Sequence, residues 1–81
     1  ENFLAKRFAA KEAFSKAMGT GFRGEINLQA ISVKHDEMGK PSFDFNNNIN
    51  EILIKQKITC QHLSISDEKN IAVAFVILDK S

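Results

Sequence analysis

The sequence has few of the residues that give very small domains covalent or aromatic support. It contains a single cysteine, Cys60, a single proline, Pro41, and neither tryptophan nor tyrosine. One cysteine excludes an intrachain disulfide, which secreted domains of this size usually need. Without tryptophan and tyrosine, any stacking of nucleic-acid bases would depend on phenylalanine. These absences favour a reducing, intracellular compartment, and we expect a cytoplasmic protein.

Long apolar runs are also missing. The longest covers residues 71–78, whereas a membrane-spanning helix needs about 18 apolar residues or more. Charges near residue 1 come too early and too often for a signal peptide, and we expect no membrane partner. Apolar residues make up 43% and charged residues 26% of the 81 positions, a balance typical of a folded chain. We predict one small domain over residues 1–81.

Charge is nearly balanced overall but not along the chain. The formal net charge is +1; residues 1–23 hold five basic and two acidic residues, and residues 24–81 hold six basic and eight acidic ones. A basic N-terminal segment can contact nucleic acid or another acidic surface. The nucleic-acid alternative would use the basic residues of this segment, which are Lys6, Arg7, Lys11, Lys16 and Arg23.

The first predicted helix covers residues 2–18. The segment is rich in alanine, lacks proline and glycine, and is followed by Gly19 and Gly21, which favour a helix end. Its apolar surface is too large to leave in water on so small a domain, so we predict that deleting residues 1–18 unfolds the protein or makes it insoluble. The main apolar side of this helix is expected to carry Phe3, Ala10, Phe14, Ala17 and Met18.

A second apolar edge of this helix is separated from the first by two cations. Leu4 and Phe8 form the edge, and Arg7 and Lys11 lie between it and the main apolar side. One interpretation is a helix packed on a sheet, with the cations extending along its border. The other is a surface that binds a protein partner through Leu4, Arg7, Phe8 and Lys11.

Strands dominate the rest of the predicted structure. The alternation of Ile26, Leu28 and Ala30 with polar residues indicates a half-buried strand. Its shift by one residue at Ile31 indicates a β-bulge or a strand end covered on both faces. In order, the predicted elements are a strand over 22–34, a turn over 35–41, a strand at 43–45 that pairs back as a hairpin, a helix over 46–55, a strand over 57–65, a loop over 66–70 and a strand over 71–78.

Residues 46–57 fit two structures. Ile49, Ile52 and Leu53 recur at helical spacing after a run of three asparagines that can supply a helix cap. Alternation that begins at Ile52 and runs on towards Cys60 fits a strand. We favour a short helix over the first ten of these residues, and the strand is the alternative.

Together these elements predict an α+β fold. The N-terminal helix is expected to pack on an antiparallel sheet of three or four strands, with a second short helix where residues 46–55 are helical. The residues expected in the core are Phe3, Phe14, Ala17, Ile26, Leu28, Phe45, Ile52, Ile58, Leu63, Val73, Phe75 and Ile77.

The last predicted strand is apolar on both faces. A helix layer can cover one face, and a chain of 81 residues has little left to cover the other. An exposed flat apolar face would exceed what soluble monomers usually tolerate. We therefore predict a homo-oligomer that buries the face formed by Ala72, Ala74 and Val76. The alternative is that the helix over residues 46–55 covers this face within one chain.

Three short motifs contain residue types that are found at chemical sites. His35, Asp36 and Glu37 are consecutive, so their side chains diverge and do not predict a metal site. The glycines from Gly19 to Gly24 match a dinucleotide-binding pattern only in spacing, because a helix precedes them and a strand is predicted to follow.

The third motif is the pair Cys60 and His62, which share one face of a strand. A structural zinc site needs four ligands, and a thiol nucleophile needs an orienting third group besides its histidine. Neither is provided by the local sequence. We therefore expect Cys60 to be a small buried core residue, unreactive towards thiol reagents.

The function expected from these observations is that of a non-enzymatic protein-interaction module, either a homo-oligomer or a subunit of a larger assembly. No catalytic residue, metal, cofactor or small-molecule substrate is expected. A nucleic-acid-associated protein with a basic N-terminal helix is the alternative. A small metal or thiol enzyme around Cys60 and His62 is a remote third.

Overall fold

The α+β fold is confirmed in the computed structural model, which describes the backbone of residues 3–80 and the side chains from residue 4 to residue 80. Within these residues, four antiparallel strands form two separate two-stranded sheets rather than one larger sheet. In chain order the elements are α1 (Phe3–Ala17), a 3₁₀ turn (Leu28–Ala30), β1 (Ile31–His35), β2 (Pro41–Phe45), α2 (Asn47–Lys55), β3 (Ile58–Glu68) and β4 (Ile71–Lys80). Among the described residues, no helix has the length and apolar character needed to cross a membrane.

Helix α1 confirms the first predicted helix. It ends where Gly19 adopts a φ of 83°, a left-handed conformation that glycine accepts without strain. Ala10 and Phe14 are completely buried, and Phe14 is the largest such side chain. The prediction that Ala17 is in the core is wrong, because this residue lies exposed in the last turn. The side chain of Phe3 lies outside the described residues.

Residues 22–30 do not form the predicted strand. The carboxamide oxygen of Asn27 accepts hydrogen bonds from the backbone N–H groups of Gln29 (3.1 Å) and Ala30 (3.0 Å), and this cap starts the 3₁₀ turn. The shift in apolar alternation at Ile31 therefore marks the end of a turn and the start of β1, not a bulge. Leu28, predicted to be in the core, is 39% exposed for the same reason.

The first predicted hairpin is confirmed. Strands β1 and β2 pair antiparallel, with Ile31 opposite Phe45 and His35 opposite Pro41. Between them, Oδ1 of Asp36 accepts hydrogen bonds from the backbone N–H groups of Met38 (2.9 Å) and Lys40 (2.8 Å). This carboxylate is therefore occupied in forming the turn.

Helix α2 resolves the ambiguity at residues 46–57 in favour of the helix. The side chain of Asn46 accepts a hydrogen bond of 3.0 Å from the backbone N–H of Ile49, which caps the first turn. Ile49 and Leu53 lie four residues apart on one face and are both buried. Lys57, at a φ of 60°, turns the chain into β3.

The second hairpin, β3 and β4, is longer than predicted. Residues 66–68, expected in a loop, continue β3, and the turn consists of Lys69 and Asn70. Both residues have positive φ values, 44° and 71°, as the commonest two-residue hairpin turn requires.

The two faces of β4 are reversed relative to the prediction. Val76 and Leu78 pack against the buried core that includes Phe14, and by alternation Ala72 and Ala74 share their face. We call this the inner face. The prediction that Phe75 and Ile77 are core residues is wrong, because they are 68% and 61% exposed, and Val73 is half-buried on their side. This outer face also carries Ile71, which is 63% exposed.

The core lies between α1, the first hairpin and α2. The ring of Phe14 is 4.6 Å from that of Phe45 and 5.3 Å from that of Phe43, measured between centroids. Phe45 and Ile52, which were predicted to be in the core, are half-buried and pack against the buried core residues. Of the other predicted core residues, those confirmed as buried are Phe14, Ile26, Ile58 and Leu63. Ala30, Ile31, Ile49 and Leu53 are buried without having been predicted.

Candidate functional site

An open groove runs beside α1. Four of its lining residues, Leu4, Arg7, Phe8 and Lys11, recur at helical spacing and therefore lie on one side of α1, and the fifth is Leu28 of the 3₁₀ turn. The groove encloses about 370 Å³. The ammonium group of Lys11 donates a hydrogen bond of 3.0 Å to the backbone carbonyl of Leu28, which ties the two walls together. We call this site the α1 groove.

The α1 groove combines exposed apolar side chains with positive charge. Leu4 is 78% and Phe8 49% exposed, and the ring of Phe8 lies 6.3 Å from that of Phe22. The sequence placed Leu4, Arg7, Phe8 and Lys11 together on this edge, and in the structure these four residues line one groove. Leu28 was missed because the segment before β1 was read as a strand with an inward side chain.

The five basic residues of the N-terminal segment do not form one surface. Only Arg7 and Lys11 line the α1 groove. The ammonium group of Lys6 lies 3.1 Å from a carboxylate oxygen of Asp67, at the far end of β3. Lys16 and Arg23 are exposed and outside the groove lining. A phosphate backbone would need a continuous basic track to contact them all.

Cys60 and His62 are brought together with a third residue, Asp79. Nε2 of His62 lies 2.7 Å from Oδ2 of Asp79, and the potential ligand atoms of all three residues lie within 4.8 Å of one another. Among the described residues, no other group of three histidine, cysteine or acidic side chains is so close. Asp79 was missed because it is 19 positions from Cys60 in the sequence and adjacent only through strand pairing.

The exposure of Cys60 contradicts its predicted role as a buried core residue. The register of the second hairpin shifts between Ile58 and Cys60, so that Ile58 faces Lys80 while Cys60 faces Asp79. The extra residue, Thr59, forms a bulge that reverses the alternation. Ile58 is therefore buried on the inner face, and Cys60 lies on the outer face.

The consecutive residues His35, Asp36 and Glu37 lie at the turn between β1 and β2. All three are exposed. Asp36 serves the turn between β1 and β2. This segment therefore contributes to the fold through its turn.

Comparison with known proteins identifies the family. The sequence model of the 4'-phosphopantetheinyl transferase superfamily matches residues 1–76. The chain is 56% identical over 78 residues to the holo-(acyl-carrier-protein) synthase of Nitrosospira multiformis. The aligned region covers 96% of this chain and 62% of that protein.

Solved structures agree with the sequence comparison. The holo-(acyl-carrier-protein) synthase of Neisseria meningitidis superimposes with a TM-score of 0.93 at 48% identity, over 98% of this chain and 63% of that one. The synthase of Helicobacter pylori, in complex with coenzyme A, superimposes with a TM-score of 0.81 at 28% identity, over 94% of this chain and 64% of that one. The chain thus spans less than two thirds of the length of these relatives.

These matches correct the function expected from the sequence. The expectation of a non-enzymatic interaction module, with its nucleic-acid and metal- or thiol-enzyme alternatives, is wrong, because the matching family consists of transferases. The expectation of no small-molecule substrate is also wrong, since a similar structure contains coenzyme A. The chain belongs to the 4'-phosphopantetheinyl transferase superfamily, because the family model matches residues 1–76 and more than half of 78 aligned residues are identical to those of a known synthase.

Proposed function

We propose that this chain forms part of a holo-(acyl-carrier-protein) synthase, which moves the 4'-phosphopantetheinyl group of coenzyme A onto an acyl carrier protein. The observation that carries the proposal is the 56% identity over 78 residues to the N. multiformis synthase. The H. pylori complex supports coenzyme A as the small-molecule substrate. Because the chain spans 62% of the N. multiformis protein, we assign to it part of the active site.

The proposed reaction exchanges one phosphorus–oxygen bond for another. An acceptor hydroxyl of the carrier protein loses its proton to water as its oxygen forms a bond to the phosphorus of the phosphopantetheinyl group, and the diphosphate bond of coenzyme A breaks. The nucleotide part leaves with the electron pair of the broken bond, so negative charge grows on its phosphate. Fixed cations stabilise such charge where it develops.

The α1 groove is the surface that we propose for the carrier protein. A small molecule usually lies in a pocket that encloses most of it, whereas this groove is open and its apolar side chains are exposed. Apolar side chains bordered by arginine are typical of protein interfaces. The partner-binding role of Leu4, Arg7, Phe8 and Lys11 thus stays part of the proposal.

A transfer assay tests the activity. The natural full-length protein, incubated with coenzyme A and the apo carrier protein of its own organism, is expected to add one phosphopantetheinyl group, which intact-mass spectrometry detects. Magnesium is included because it usually accompanies phosphate substrates. An unchanged carrier mass contradicts the proposed function.

Kinetics of variants test the groove separately. Arg7→Gln and Phe8→Ala are expected to raise the KM for the carrier protein about tenfold, the effect of losing about 1.4 kcal/mol of binding. The KM for coenzyme A should stay constant. Lys34→Gln, an exposed cation on β1, is the matched control and should change neither value. A rise confined to the KM for coenzyme A would assign the groove to that substrate instead.

We also propose self-association through the outer face of β4. Ile71, Phe75 and Ile77 are each more than 60% exposed there, and a face of this kind is usually covered by another chain. The surface predicted for this role, Ala72, Ala74 and Val76, is on the inner face and packs within the chain. The cytoplasmic location likewise stays a proposal, which cell fractionation tests.

A further inference from the structure

The two walls of the α1 groove differ in how they are supported. One wall is a helix of 15 residues, whereas the other, Leu28, belongs to a 3₁₀ turn of three residues. We propose that Asn27 is a positioning residue, whose side chain holds Leu28 where the carrier protein contacts it. This inference rests on the proposed function of the α1 groove. Asn27 does not line the groove itself, so it acts through the turn.

The side chain of Asn27 makes four hydrogen bonds. Its oxygen accepts from the backbone N–H groups of Gln29 at 3.1 Å and Ala30 at 3.0 Å. Its amide nitrogen donates to the carbonyl oxygens of Gly24 at 3.1 Å and Glu25 at 3.4 Å. One side chain therefore joins the turn to the segment that precedes it, and both of its polar atoms are used.

The core anchors this segment on either side of the turn but not within it. Ile26 is 3% and Ala30 is 7% exposed, whereas Asn27, Leu28 and Gln29 are all exposed. Buried neighbours fix where the segment begins and ends, and they leave open the path of the three exposed residues between them. The hydrogen bonds of Asn27 select that path, and with it the direction of the Leu28 side chain.

The same turn also positions a cation of the groove. The ammonium group of Lys11 donates a hydrogen bond of 3.0 Å to the backbone carbonyl of Leu28. If the turn unwinds, this carbonyl moves and Lys11 loses the acceptor that holds it. The cap at Asn27 therefore supports one apolar and one basic member of the surface proposed for the carrier protein.

Steady-state kinetics of the natural full-length protein test this role. The apparent affinity for a partner falls in proportion to the fraction of molecules in the binding conformation. Asn27→Ala is expected to raise the KM for the carrier protein about fivefold, the factor that corresponds to the loss of one cap. The kcat and the KM for coenzyme A should stay constant. Asn27→Ser keeps a cap acceptor and should return the KM for the carrier protein close to its native value.

A second asparagine cap supplies the matched control. Asn46 caps α2 by accepting from the N–H of Ile49, away from the groove lining. Asn46→Ala removes that cap but keeps the backbone hydrogen bond from Asn46 to the carbonyl of Ala30. It should lower stability about as much as Asn27→Ala and leave the KM for the carrier protein unchanged. An equal rise in KM in both variants would reflect a general loss of stability and overturns the proposal.

Leu28→Ala separates this inference from the proposed function. The variant removes the wall itself and should also raise the KM for the carrier protein. If Leu28→Ala raises this KM and Asn27→Ala does not, the positioning role is overturned and the groove assignment stands. If neither variant raises it, both the groove assignment and the positioning role are overturned.

Backbone dynamics give a readout that does not depend on activity. The ¹⁵N order parameters of Leu28 and Gln29 should fall in Asn27→Ala, from about 0.85 in a rigid backbone towards the flexible range below about 0.6. Asn46→Ala should leave them at their native values. Native order parameters in Asn27→Ala would mean that other contacts hold the turn, and they overturn the proposal whatever the KM.

Discussion

The two hairpins of this chain have the same antiparallel pairing and opposite surroundings. Strands β1 and β2 are five residues long, and the rings of Phe43 and Phe45 pack on Phe14 of α1. Strands β3 and β4 are 11 and 10 residues long, and their outer face exposes Phe75 and Ile77. The short hairpin is completed by its own chain, whereas the long hairpin leaves an apolar face open.

The difference follows from the pattern of apolar residues. In β2 the two phenylalanines alternate with exposed polar residues, so one covering layer is enough. In β4 apolar residues occupy both faces, and the described residues cover only one of them. A strand that is apolar on both faces thus indicates contacts beyond those that the described residues supply.

The largest expected effect on stability concerns the ring of Phe14, which packs on the short hairpin. Phe14→Ala should lower the free energy of unfolding by about 3–5 kcal/mol, the usual cost of deleting a buried phenylalanine ring. Urea unfolding monitored by circular dichroism measures it. Ile54→Ala, at a position that is 74% exposed on α2, is the control and should change stability by only about 0.5 kcal/mol. Equal costs for both variants would contradict the packing described for Phe14.

The next effect concerns the open face of the long hairpin. The native protein should sediment at micromolar concentration with at least twice the mass of one chain, and the double variant Phe75→Ser, Ile77→Ser should sediment as a monomer. The physical reason is the loss of the apolar area that drives association. Ile54→Ser removes an exposed isoleucine elsewhere and should leave the assembly intact. A folded native monomer would refute self-association through this face.

A smaller effect is expected at the cap of α2, between the two hairpins. Asn46→Ala should cost about 1 kcal/mol, because it removes the side-chain acceptor for the N–H of Ile49. Thermal or urea unfolding measures the change. Asn47→Ala, next to the cap and exposed, is the control and should have about half that effect or less. A larger loss in the control than in Asn46→Ala would place the cap elsewhere.

The smallest effect compares the turns of the two hairpins. The short hairpin uses Gly39 at a φ of 84°, whereas the long one has Lys69 at a φ of 44°. Asparagine tolerates this left-handed conformation better than lysine, so Lys69→Asn should raise the free energy of unfolding by about 0.5 kcal/mol. Lys40→Asn, a control outside the left-handed region, should give no gain.

Local signals in the sequence were sufficient for most elements. Alanine content and terminal glycines predicted α1, and the asparagine run before Ile49 predicted the cap of α2. Turn residues placed both hairpins. These features depend on a few neighbouring residues, so they can be recognised without knowing the rest of the fold.

The predictions from sequence were wrong where the same pattern of apolar residues is compatible with two different local structures. Ile26, Leu28 and Ala30 alternate as in a strand, yet the side chain of Asn27 forms a 3₁₀ turn there. The bulge at Thr59 moves Cys60 from the inner to the outer face of the hairpin. The neighbouring sequence contains no residue type that predicts a bulge at this position. The family was missed as well, since no local motif was identified for a group-transfer site.

By itself, the sequence determined the α+β class, the order of helices and hairpins, and the edge of α1 that carries Leu4, Arg7, Phe8 and Lys11. Helical and strand periodicity, caps and turns are local, so the residues alone specify them. Only the tertiary structure decided which face of β4 turns inward and that Asp79 joins Cys60 and His62. Both outcomes depend on strand register and on packing against α1, which are interactions between residues far apart in the chain.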